Sequence, residues 1–235
     1  YYPMNSLKGA VLTGAGISAE SGIPTFRGDG GLWRNFRAEE LATPTAFKKN
    51  PALVWEWYMW RRSLIAKAKP NEGHLGLVEL EEKLGDNFLL ITQNVDGLHQ
   101  RAGSKRLVEL HGNIWRVRCL SCGAVYQDER VQSEDLPPSC RECGGLVRPD
   151  VVWFGEALPE EALKTAILWA SSCDIFVSIG TSALVYPAAQ LPYIAKEKGA
   201  KVVEINPEET PLSKIADIII REPASKGVRK LLQML

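Results

Sequence analysis

Short runs of apolar and often β-branched residues recur along the chain and predict buried strands. The six clearest runs are Gly9–Thr13, Phe88–Thr92, Leu107–Leu110, Ile175–Ile179, Lys201–Ile205 and Asp217–Ile220. Most of them are separated by segments with helical periodicity, which are Glu72–Lys83, Pro159–Ala170 and Pro187–Lys198. Strands that alternate with helices in this way predict an α/β fold built on a doubly wound parallel sheet.

Two segments interrupt this alternation and do not fit the sheet. The stretch 33–69 has a mostly helical pattern, and residues 115–149 carry four closely spaced cysteines. We therefore predict a discontinuous large domain formed by residues 1–34, 70–114 and 150–235. Residues 35–69 and 115–149 would pack together as a small domain.

Polar residues and glycines stand directly after five of the predicted strands. In chain order these groups are Gly14–Ser18, Gln93–Asp96, His111–Asn113, Gly180–Ser182 and Asn206–Pro207. Ligands of doubly wound sheets bind at the carboxyl ends of the strands. The five groups therefore predict a ligand site along one edge of the sheet.

The four cysteines form two Cys-x-x-Cys pairs, Cys119 with Cys122 and Cys140 with Cys143, separated by seventeen residues. This spacing is typical of a zinc ribbon, in which four thiolates hold one Zn²⁺ tetrahedrally. Two disulfides are the alternative, but they suit a small secreted domain better than a chain of this size. Since four thiolates leave no open coordination position, the zinc would be structural. A fifth cysteine, Cys173, begins an apolar run and is predicted to be a buried thiol.

Composition and charge narrow the class of protein. The chain is 45% hydrophobic and 24% charged, as in ordinary globular proteins. Its 28 basic residues balance 28 acidic ones, so the basic footprint that nucleic-acid binding needs is absent. No apolar run reaches the length of a membrane span. We expect a cytoplasmic monomer with reduced cysteines and no membrane or nucleic-acid partner.

The Gly14-Ala15-Gly16 turn follows a strand and precedes a helix. Such a turn favours phosphate binding because glycine lets the backbone approach the ligand closely, and Ala19 replaces the third glycine of a dinucleotide motif. No acidic residue closes a second strand about twenty residues later, as a dehydrogenase would need. A plain tight turn remains the alternative. Arg27 likewise either reaches a pyrophosphate or lies in solvent.

Two amides and a carboxylate, from Gln93, Asn94 and Asp96, stand together at one strand end. A helix-capping role would account for Asp96 alone, whereas hydrogen bonds to a ribose or a carboxamide would account for all three. A lone histidine is more often structural than catalytic, but His111 follows another strand end at the predicted ligand edge, which favours a catalytic role. His74 and His99 are predicted to be structural or surface residues.

Read in order, these motifs resemble the sirtuins, a family of NAD-dependent protein lysine deacylases. The matching stretches are Gly14–Gly28, Thr92–Asp96, Leu110–Gly112, the four cysteines, Val151–Glu156, Gly180–Ser182 and Glu204–Asn206. The resemblance extends over nearly the whole chain. It implies a Rossmann-like large domain, a smaller domain of helices and a zinc ribbon, and NAD⁺ in the cleft between them. NAD⁺ would be consumed as a co-substrate, which agrees with the missing acidic residue.

The resemblance also implies contacts for individual residues. NAD⁺ would contact Gly14, Ala15, Gly16, Ser18, Ala19, Phe26, Arg27, Trp33, Gln93, Asn94, Asp96, Gly180, Thr181, Ser182, Asn206, Pro207 and Ala224. The acylated lysine peptide would contact Val152, Trp153, Phe154, Gly155, Glu156 and Val185, partly by pairing as a strand. Of the peptide-contacting residues, the first three would line the tunnel for the acyl-lysine.

The implied chemistry begins when the acyl carbonyl oxygen attacks C1′ of the ribose and nicotinamide leaves. Phe26 would cover that ribose, Asn94 would contact it, and Asp96 would contact the nicotinamide carboxamide. His111 would be the catalytic general base that takes a proton from the ribose hydroxyls. Water would then release free lysine and 2′-O-acyl-ADP-ribose.

Tyr58 and Arg61 bear on the acyl group, because residues three apart share a face of a helix. The pair resembles the Tyr-x-x-Arg signature of the sirtuin subgroup that removes succinyl and malonyl groups. The phenol and the guanidinium would bind the distal carboxylate, which needs a charge-assisted partner when buried. The alternative is an aromatic amphipathic helix with a solvated arginine. Arg62 lies one position off this face.

Other functions stay open at this point. The chain could be a deacetylase without a preference for dicarboxylic acyl groups, or a mono-ADP-ribosyltransferase that uses the same nicotinamide cleavage. A zinc-ribbon module that binds without catalysis and a nicotinamide-dependent dehydrogenase are more distant alternatives.

Overall fold

The computed structural model describes residues 6–25 and 32–235, and within these ranges it contains a six-stranded and a three-stranded sheet. The larger sheet is parallel throughout. In spatial order its strands are β3 (Leu107–Glu109), β2 (Phe88–Thr92), β1 (Gly9–Thr13), β7 (Ile175–Ile179), β8 (Lys201–Ile205) and β9 (Ile218–Ile220). These are the six predicted runs, with β3 and β9 each one residue shorter. The predicted α/β fold with a Rossmann-like sheet is confirmed.

The order of the strands reverses in the middle of this sheet. From β1 the chain adds β2 and β3 on one side, and it then crosses over to add β7, β8 and β9 on the other side. The carboxyl ends of β1 and β7 therefore flank a topological switch point, where doubly wound sheets bind their ligands. Every residue of β1, β2 and β7 is buried, as expected for strands covered on both faces.

Helices cover the two faces of the sheet because successive strand residues point to opposite sides. Val11 faces the core formed with α5 (Glu72–Leu84) and α9 (Ala224–Met234). Leu12 faces the core formed with α7 (Glu160–Ser172) and α8 (Leu191–Glu197). The three predicted helices are thus present with ends shifted by a few residues. The first part of the predicted third helix is a 3₁₀ turn before α8.

Helix α1 (Ala15–Ala19) directly follows β1 and packs through Ile17 into the core of the larger sheet. The next three helices, α2 (Ala38–Leu41), α3 (Pro44–Lys49) and α4 (Pro51–Lys67), form part of a second unit. The sequence explains why α3 and α4 are separate. Thr43 and Asn50 each accept a hydrogen bond from a backbone N–H of the following turn, and each precedes a proline at the first helical position.

The three-stranded sheet is antiparallel and was not predicted as strands. Its order is β5 (Val125–Gln127), β4 (Gly112–Cys119) and β6 (Val147–Val151). These strands have a weak sequence pattern, because β5 is short and β6 contains an arginine, a proline and an aspartate. This sheet and helices α2 to α4 share one hydrophobic core, in which Trp55, Trp57 and Tyr58 are fully buried.

The shared core also takes in Trp33 and Trp153, which lie outside the predicted small domain. The exact boundaries between the two domains stay a prediction.

Within residues 6–25 and 32–235, no helix combines the length and the apolar character that a membrane crossing needs.

Candidate active site

A cavity of about 590 Å³ opens at the carboxyl ends of β1, β2 and β7, against the small sheet and α4. Many of the residues singled out in the sequence line it. They are Gly14, Ala15, Ser18, Tyr58, Arg61, Gln93, Asn94, Asp96, His111, Val152, Phe154, Gly180, Thr181, Ser182 and Val185. The structure therefore brings the residues after four predicted strands together with the Tyr58–Arg61 pair, as the sequence predicted.

The glycine turns after β1 and β7 approach each other so closely that neither has room for a side chain. The N–H of Gly16 donates to the carbonyl of Gly180 at 2.8 Å. A Cβ atom on Gly16 would lie 2.6 Å from the Cα of Gly180, and Gly180 itself has a φ of +62°. Glycine is therefore required at these positions because the two turns pack directly against each other. This packing places the backbone of both turns at the cavity wall.

Asp96 is almost fully buried at the cavity floor, and both of its carboxylate oxygens accept hydrogen bonds. The Ser18 hydroxyl donates to Oδ2 at 2.7 Å, and the N–H of Leu98 donates to Oδ1 at 2.9 Å. Burial raises the pKa of Asp96, and the two hydrogen bonds partly oppose this shift. Gly97 is the cap residue of helix α6 (Leu98–Ala102), but the Asp96 carboxylate satisfies the first N–H of that helix. Asp96 therefore has both the expected capping role and a place at the cavity.

His74 lies beneath the site and supports it, which is a structural role of the kind predicted for it. The N–H of Asn71 donates to Nδ1 of His74, so in the neutral ring the proton is on Nε2. Nε2 lies 3.3 Å from the Ser18 hydroxyl, which in turn donates to Asp96. Hydrogen bonds thus run in one direction from His74 through Ser18 to Asp96. The available signal was the position of His74 three residues after Asn71, at the start of α5.

His99 is buried beside His74, with the two ring centroids 5.0 Å apart. Its Nε2 lies 2.9 Å from the hydroxyl of Thr13 at the end of β1, and that hydroxyl donates to Thr92. Burial lowers the pKa of His74 to about 4 and the pKa of His99 to about 3. Both rings are therefore neutral at pH 7, and both are structural as predicted.

His111 is half-buried at the cavity wall, and one backbone hydrogen bond determines the tautomer of its ring. Its Nδ1 lies 3.0 Å from the backbone carbonyl of Gln93. A carbonyl only accepts, so Nδ1 must carry the proton, and in the neutral ring Nε2 is the unprotonated nitrogen. This is the tautomer that a general base requires. The main chain of His111 also accepts a hydrogen bond from the N–H of Val152 at 2.9 Å.

Tyr58 and Arg61 enter the cavity from α4, as their shared helical face predicts. The Arg61 guanidinium lies 4.9 Å from the ring centroid of Trp57 and 5.2 Å from that of Tyr58. The Tyr58 hydroxyl accepts a hydrogen bond from the indole N–H of Trp153 at 2.8 Å. Burial raises the pKa of Tyr58, so the phenol is neutral, and burial lowers the pKa of Arg61 from its very high ordinary value.

Arg62 has a different environment, although it is the next residue along α4. Its side chain is fully buried and donates to the carbonyls of Ile114 at 2.8 Å and Arg130 at 3.0 Å. It also forms an ion pair with Asp128 at 3.4 Å. Burial lowers the pKa of Arg62 to about 10, with the charge of Asp128 opposing the shift. Arg62 therefore joins α4 to the small sheet and does not line the cavity.

Several residues predicted to bind NAD⁺ or peptide are not among the lining residues of this cavity. They are Gly16, Ala19, Trp33, Trp153, Gly155, Glu156, Asn206, Pro207 and Ala224. Trp33 is buried against Trp60, and Asn206 donates to the carbonyl of Thr181 at 2.9 Å and so supports a turn that does line the cavity. Phe26 and Arg27 lie outside the described residues.

The four cysteines of the two Cys-x-x-Cys pairs come together at the far end of the small sheet. Their sulfur atoms all lie within 4.8 Å of one another, with 3.5 Å between Cys119 and Cys143 and 3.8 Å between Cys122 and Cys140. Tetrahedral Zn²⁺ with Zn–S bonds of about 2.3 Å would hold sulfurs about 3.8 Å apart. Backbone N–H groups donate to the sulfurs of Cys119, Cys140 and Cys143, which stabilises thiolates. The donor set fits a structural zinc, and all five cysteines of the chain are free thiols.

A glycine-lined crevice at the switch point of a Rossmann-like sheet, beside a lobe with a four-cysteine cluster, defines a nucleotide-binding enzyme architecture. The model of the Sir2 family matches residues 14–187. The NAD-dependent protein deacylase of Aquifex aeolicus is 60% identical over 228 residues, which are 97% of this chain and 95% of the relative. The chain belongs to the Sir2 family.

Solved structures of Sir2 homologues superpose over almost the full length of the chain. A Sir2 homologue crystallised as a complex with NAD has a TM-score of 0.90 at 47% identity, covering 98% of this chain and 90% of that one. A mutant Sir2 homologue in complex with 2′-O-acetyl-ADP-ribose has a TM-score of 0.89 at 48% identity, covering 98% of this chain and 93% of that one.

Proposed function

We propose that the protein removes acyl groups from lysine side chains and transfers them to the ribose of NAD⁺, with a preference for succinyl and malonyl groups. As a member of the Sir2 family it is an NAD-dependent protein deacylase, and NAD⁺ is its co-substrate. The products are nicotinamide, free lysine and 2′-O-acyl-ADP-ribose. The acetylated ADP-ribose bound to a relative supports this product.

One observation carries the proposal: His111, the glycine turns and the Tyr58–Arg61 pair all line the same cavity. A dinucleotide lying along the glycine turns would bring its ribose towards His111, whose Nε2 is the unprotonated ring nitrogen in the neutral form. The Asn94 amide donates to the carbonyl of Gly14 at 3.0 Å, so its oxygen is left to accept from a ribose hydroxyl.

The preference for a dicarboxylic acyl group is supported by the chemistry at the end of the cavity. Arg61 offers a planar cation and Tyr58 a neutral hydroxyl on adjacent turns of α4. A carboxylate taken into a poorly hydrated site requires such a charge-assisted partner. The methyl group of an acetyl-lysine carries no charge that could pair with a guanidinium. The pair therefore favours succinyl-lysine and malonyl-lysine.

The peptide backbone would meet residues 152–156. Most N–H groups of this segment are engaged within the protein: Val152 donates to His111, Trp153 to Glu156, and Phe154 to the carbonyl of Ala42. We therefore expect the peptide to pair with the carbonyls of the segment and with the N–H of Gly155. A peptide bound in this way lies beside Phe154, which is exposed at the cavity.

The acyl assignment is tested with succinyl-, malonyl- and acetyl-lysine versions of one peptide, each with and without NAD⁺. Arg61→Met removes the cation and keeps an unbranched side chain, so kcat/KM for desuccinylation should fall about 100-fold, which corresponds to losing ~3 kcal/mol of a buried charge pair. Deacetylation should change by less than about 3-fold.

Arg61→Lys is the matched control for charge. It keeps a cation but loses the planar fork, so it should retain part of the desuccinylation activity that Arg61→Met loses. If Arg61→Met lowers both activities equally, or changes neither, the acyl preference is wrong. ADP-ribose found covalently attached to the peptide would instead favour the ADP-ribosyltransferase alternative.

A further inference from the structure

Trp153 lies behind Tyr58 and not in the cavity, and this arrangement determines where the Tyr58 hydroxyl hydrogen can point. We infer that Trp153 is a positioning residue for acyl specificity, because its indole N–H directs the phenol hydrogen of Tyr58 towards the distal carboxylate of the acyl group. This inference rests on the proposed preference for dicarboxylic acyl groups. It assigns Trp153 a different role from that of a residue lining the acyl-lysine tunnel.

The direction of the hydrogen bonds follows from the groups involved. The indole N–H of Trp153 can only donate, so at 2.8 Å the Tyr58 oxygen must accept. Arg61 lies beside the same phenol, with its guanidinium carbon 5.2 Å from the Tyr58 ring centroid, and a guanidinium also only donates. Within the part of the chain that the structure describes, the indole that bonds this hydroxyl and the cation beside it are therefore both donors. Its single hydrogen is left for an acceptor that enters the cavity.

A carboxylate is such an acceptor, and the methyl group of an acetyl chain is not. The distal carboxylate of a succinyl or malonyl group would accept one hydrogen bond from Tyr58 and others from Arg61. Without the indole N–H, the Tyr58 hydroxyl could rotate and lose this fixed orientation. Trp153 thus favours dicarboxylic substrates through Tyr58, without touching them.

An ion pair fixes Trp153 in this position. The Arg148 guanidinium donates to both oxygens of Glu156, at 2.7 and 2.8 Å, and stacks on the Trp153 ring with 3.7 Å between its carbon and the ring centroid. Glu156 also accepts from the main-chain N–H of Trp153 at 2.9 Å. On its other side the indole packs against Phe47, with centroids 5.1 Å apart. Trp153 is only 3% exposed, so its ring has no room to turn.

The same short segment carries the residues on either side of Trp153 into the cavity. Val152 and Phe154 line the cavity, whereas Trp153 points back into the core of the small sheet. The N–H of Val152 donates to His111, and the N–H of Phe154 donates to Ala42. Residues 152–154 therefore form one rigid segment with two tasks. Val152 and Phe154 would contact the peptide, and Trp153 would orient the Tyr58 hydroxyl.

The test compares Trp153→Phe with the wild-type protein on succinyl- and acetyl-lysine peptides. Phenylalanine keeps an aromatic ring in the site but lacks the N–H. We expect kcat/KM for desuccinylation to fall about 5- to 10-fold relative to deacetylation, as for the loss of one hydrogen bond that orients a charged ligand. The change should appear mainly in KM, because the carboxylate is bound but does not react.

A double-mutant cycle separates positioning from a general structural effect. In a Tyr58→Phe background no hydroxyl is left to orient, so adding Trp153→Phe should not change the succinyl-to-acetyl ratio further. A merely structural role would lower both activities together and would persist in that background. Either of these two results would overturn the inference.

Trp55→Phe is the matched control, because it also removes a buried indole N–H from the small-sheet core. The indole of Trp55 donates to the carbonyl of Val147 at 2.9 Å and not to Tyr58. This variant should lower the midpoint of thermal unfolding and leave the succinyl-to-acetyl ratio unchanged. A ratio that falls as far in Trp55→Phe as in Trp153→Phe would contradict a specific role of Trp153.

If Trp153→Phe does not fold, Glu156→Gln loosens the same ion pair while keeping an oxygen for the Trp153 N–H. The succinyl-to-acetyl ratio should then fall about 2- to 3-fold, and an unchanged ratio would count against the inference.

A wild-type protein with no succinyl preference and no response to Arg61→Met would overturn the acyl proposal, and this inference with it. A clear preference that depends on Arg61 but not on Trp153 would overturn this inference alone.

Discussion

Backbone hydrogen bonds determine the ring tautomers of two histidines in the active site. The carbonyl of Gln93 places the proton of His111 on Nδ1, and the N–H of Asn71 places the proton of His74 on Nε2. In the neutral ring, one histidine therefore has an unprotonated Nε2, while the other donates towards Ser18. Two histidines of the site thus have opposite hydrogen-bonding roles, because their backbone neighbours differ.

The two buried histidines predict how stability depends on pH. His74 and His99 have pKa values lowered to about 4 and about 3 by burial, against 6.5 in the unfolded chain. Below pH 6.5 the unfolded state binds protons at these rings and the folded state does not. Stability is therefore fully present above about pH 6.5 and is lost on acidification, by up to ~1.4 kcal/mol per pH unit for each ring.

His99→Gln isolates this contribution from that of the other titrating groups. Urea unfolding measured between about pH 7.5 and 5.5 should give a free energy of unfolding that falls less steeply in the variant than in the wild type. The difference should approach ~1.4 kcal/mol per pH unit at the acidic end. Parallel pH profiles for the two proteins would show that His99 is not the neutral buried ring described above.

Some residues of the site were predictable from the sequence because topology determines their location. Gln93, His111 and Gly180 follow strands of a parallel sheet, and all such strand ends reach one edge. The supporting role of His74 was not predictable, because it depends on how α5 packs beneath α1. The place of Trp153 behind Tyr58 was also missed, since a contact between residues 95 positions apart follows only from the tertiary fold.

Among the structural elements, the paired glycine turns after β1 and β7 are the least tolerant of change. A methyl group on Gly16 would meet the backbone of Gly180, which cannot yield as a side chain would. Gly16→Ala should therefore lower the free energy of unfolding by about 2 kcal/mol and weaken NAD⁺ binding, because both turns form the cavity wall. Calorimetric titration with NAD⁺ and thermal unfolding measure the two effects.

Gly199→Ala is the control for this prediction. Gly199 has a φ of +95° and open space around it, and it precedes β8 at the amino edge of the sheet, away from the cavity. Its substitution should cost about 1 kcal/mol through backbone strain and leave the affinity for NAD⁺ unchanged. Wild-type NAD⁺ affinity in Gly16→Ala would contradict the role given to the turns.

The cysteine cluster predicts that the antiparallel lobe depends on a metal. Cys140→Ser should reduce zinc from one ion per chain to almost none and lower the midpoint of thermal unfolding, because binding energy at a structural zinc site is folding energy. Metal analysis and calorimetry provide the measurements. Cys173→Ala is the control, since this buried thiol donates to the carbonyl of Ala170 and lies outside the cluster.

Thermal unfolding of the wild-type protein with and without reductant distinguishes zinc from the disulfide alternative. Mild reductant should leave the unfolding midpoint of the wild-type protein unchanged when thiolates hold zinc, but should lower it when disulfides hold the lobe. Full zinc content in Cys140→Ser would contradict the predicted tetrahedral site.

The six parallel strands were predictable as elements, whereas the antiparallel sheet was not. A strand buried on both faces is a continuous apolar run, which is a strong local signal. Strand β6 contains Arg148 and Asp150, whose charges are satisfied by Glu156 and Arg116 in the folded protein. Its sequence does not look like a strand until those partners are known.

At the scale of the whole molecule, the active site is lined by residues of both the parallel sheet and the lobe that contains α4 and the small sheet. Arg116 of β4 forms ion pairs with Glu109 at the end of β3, at 3.0 Å, and with Asp150 of β6, at 2.7 Å. The first of these ion pairs joins two residues that flank His111 in the sequence, at positions 109 and 116. The fold class and the location of the cavity followed from the sequence, but the cytoplasmic location, the monomeric state and the domain boundaries stay predictions.

The central claim is that this cavity transfers an acyl group from lysine to the ribose of NAD⁺ with His111 as the base. Mass spectrometry of a succinyl-lysine peptide incubated with NAD⁺ tests it most directly. We predict equal amounts of nicotinamide, free lysine peptide and an ADP-ribose heavier by one succinyl group, all reduced at least about 100-fold in His111→Gln, which should keep its zinc and bind NAD⁺. Release of free succinate with NAD⁺ unconsumed, or unchanged turnover in His111→Gln, would contradict the account.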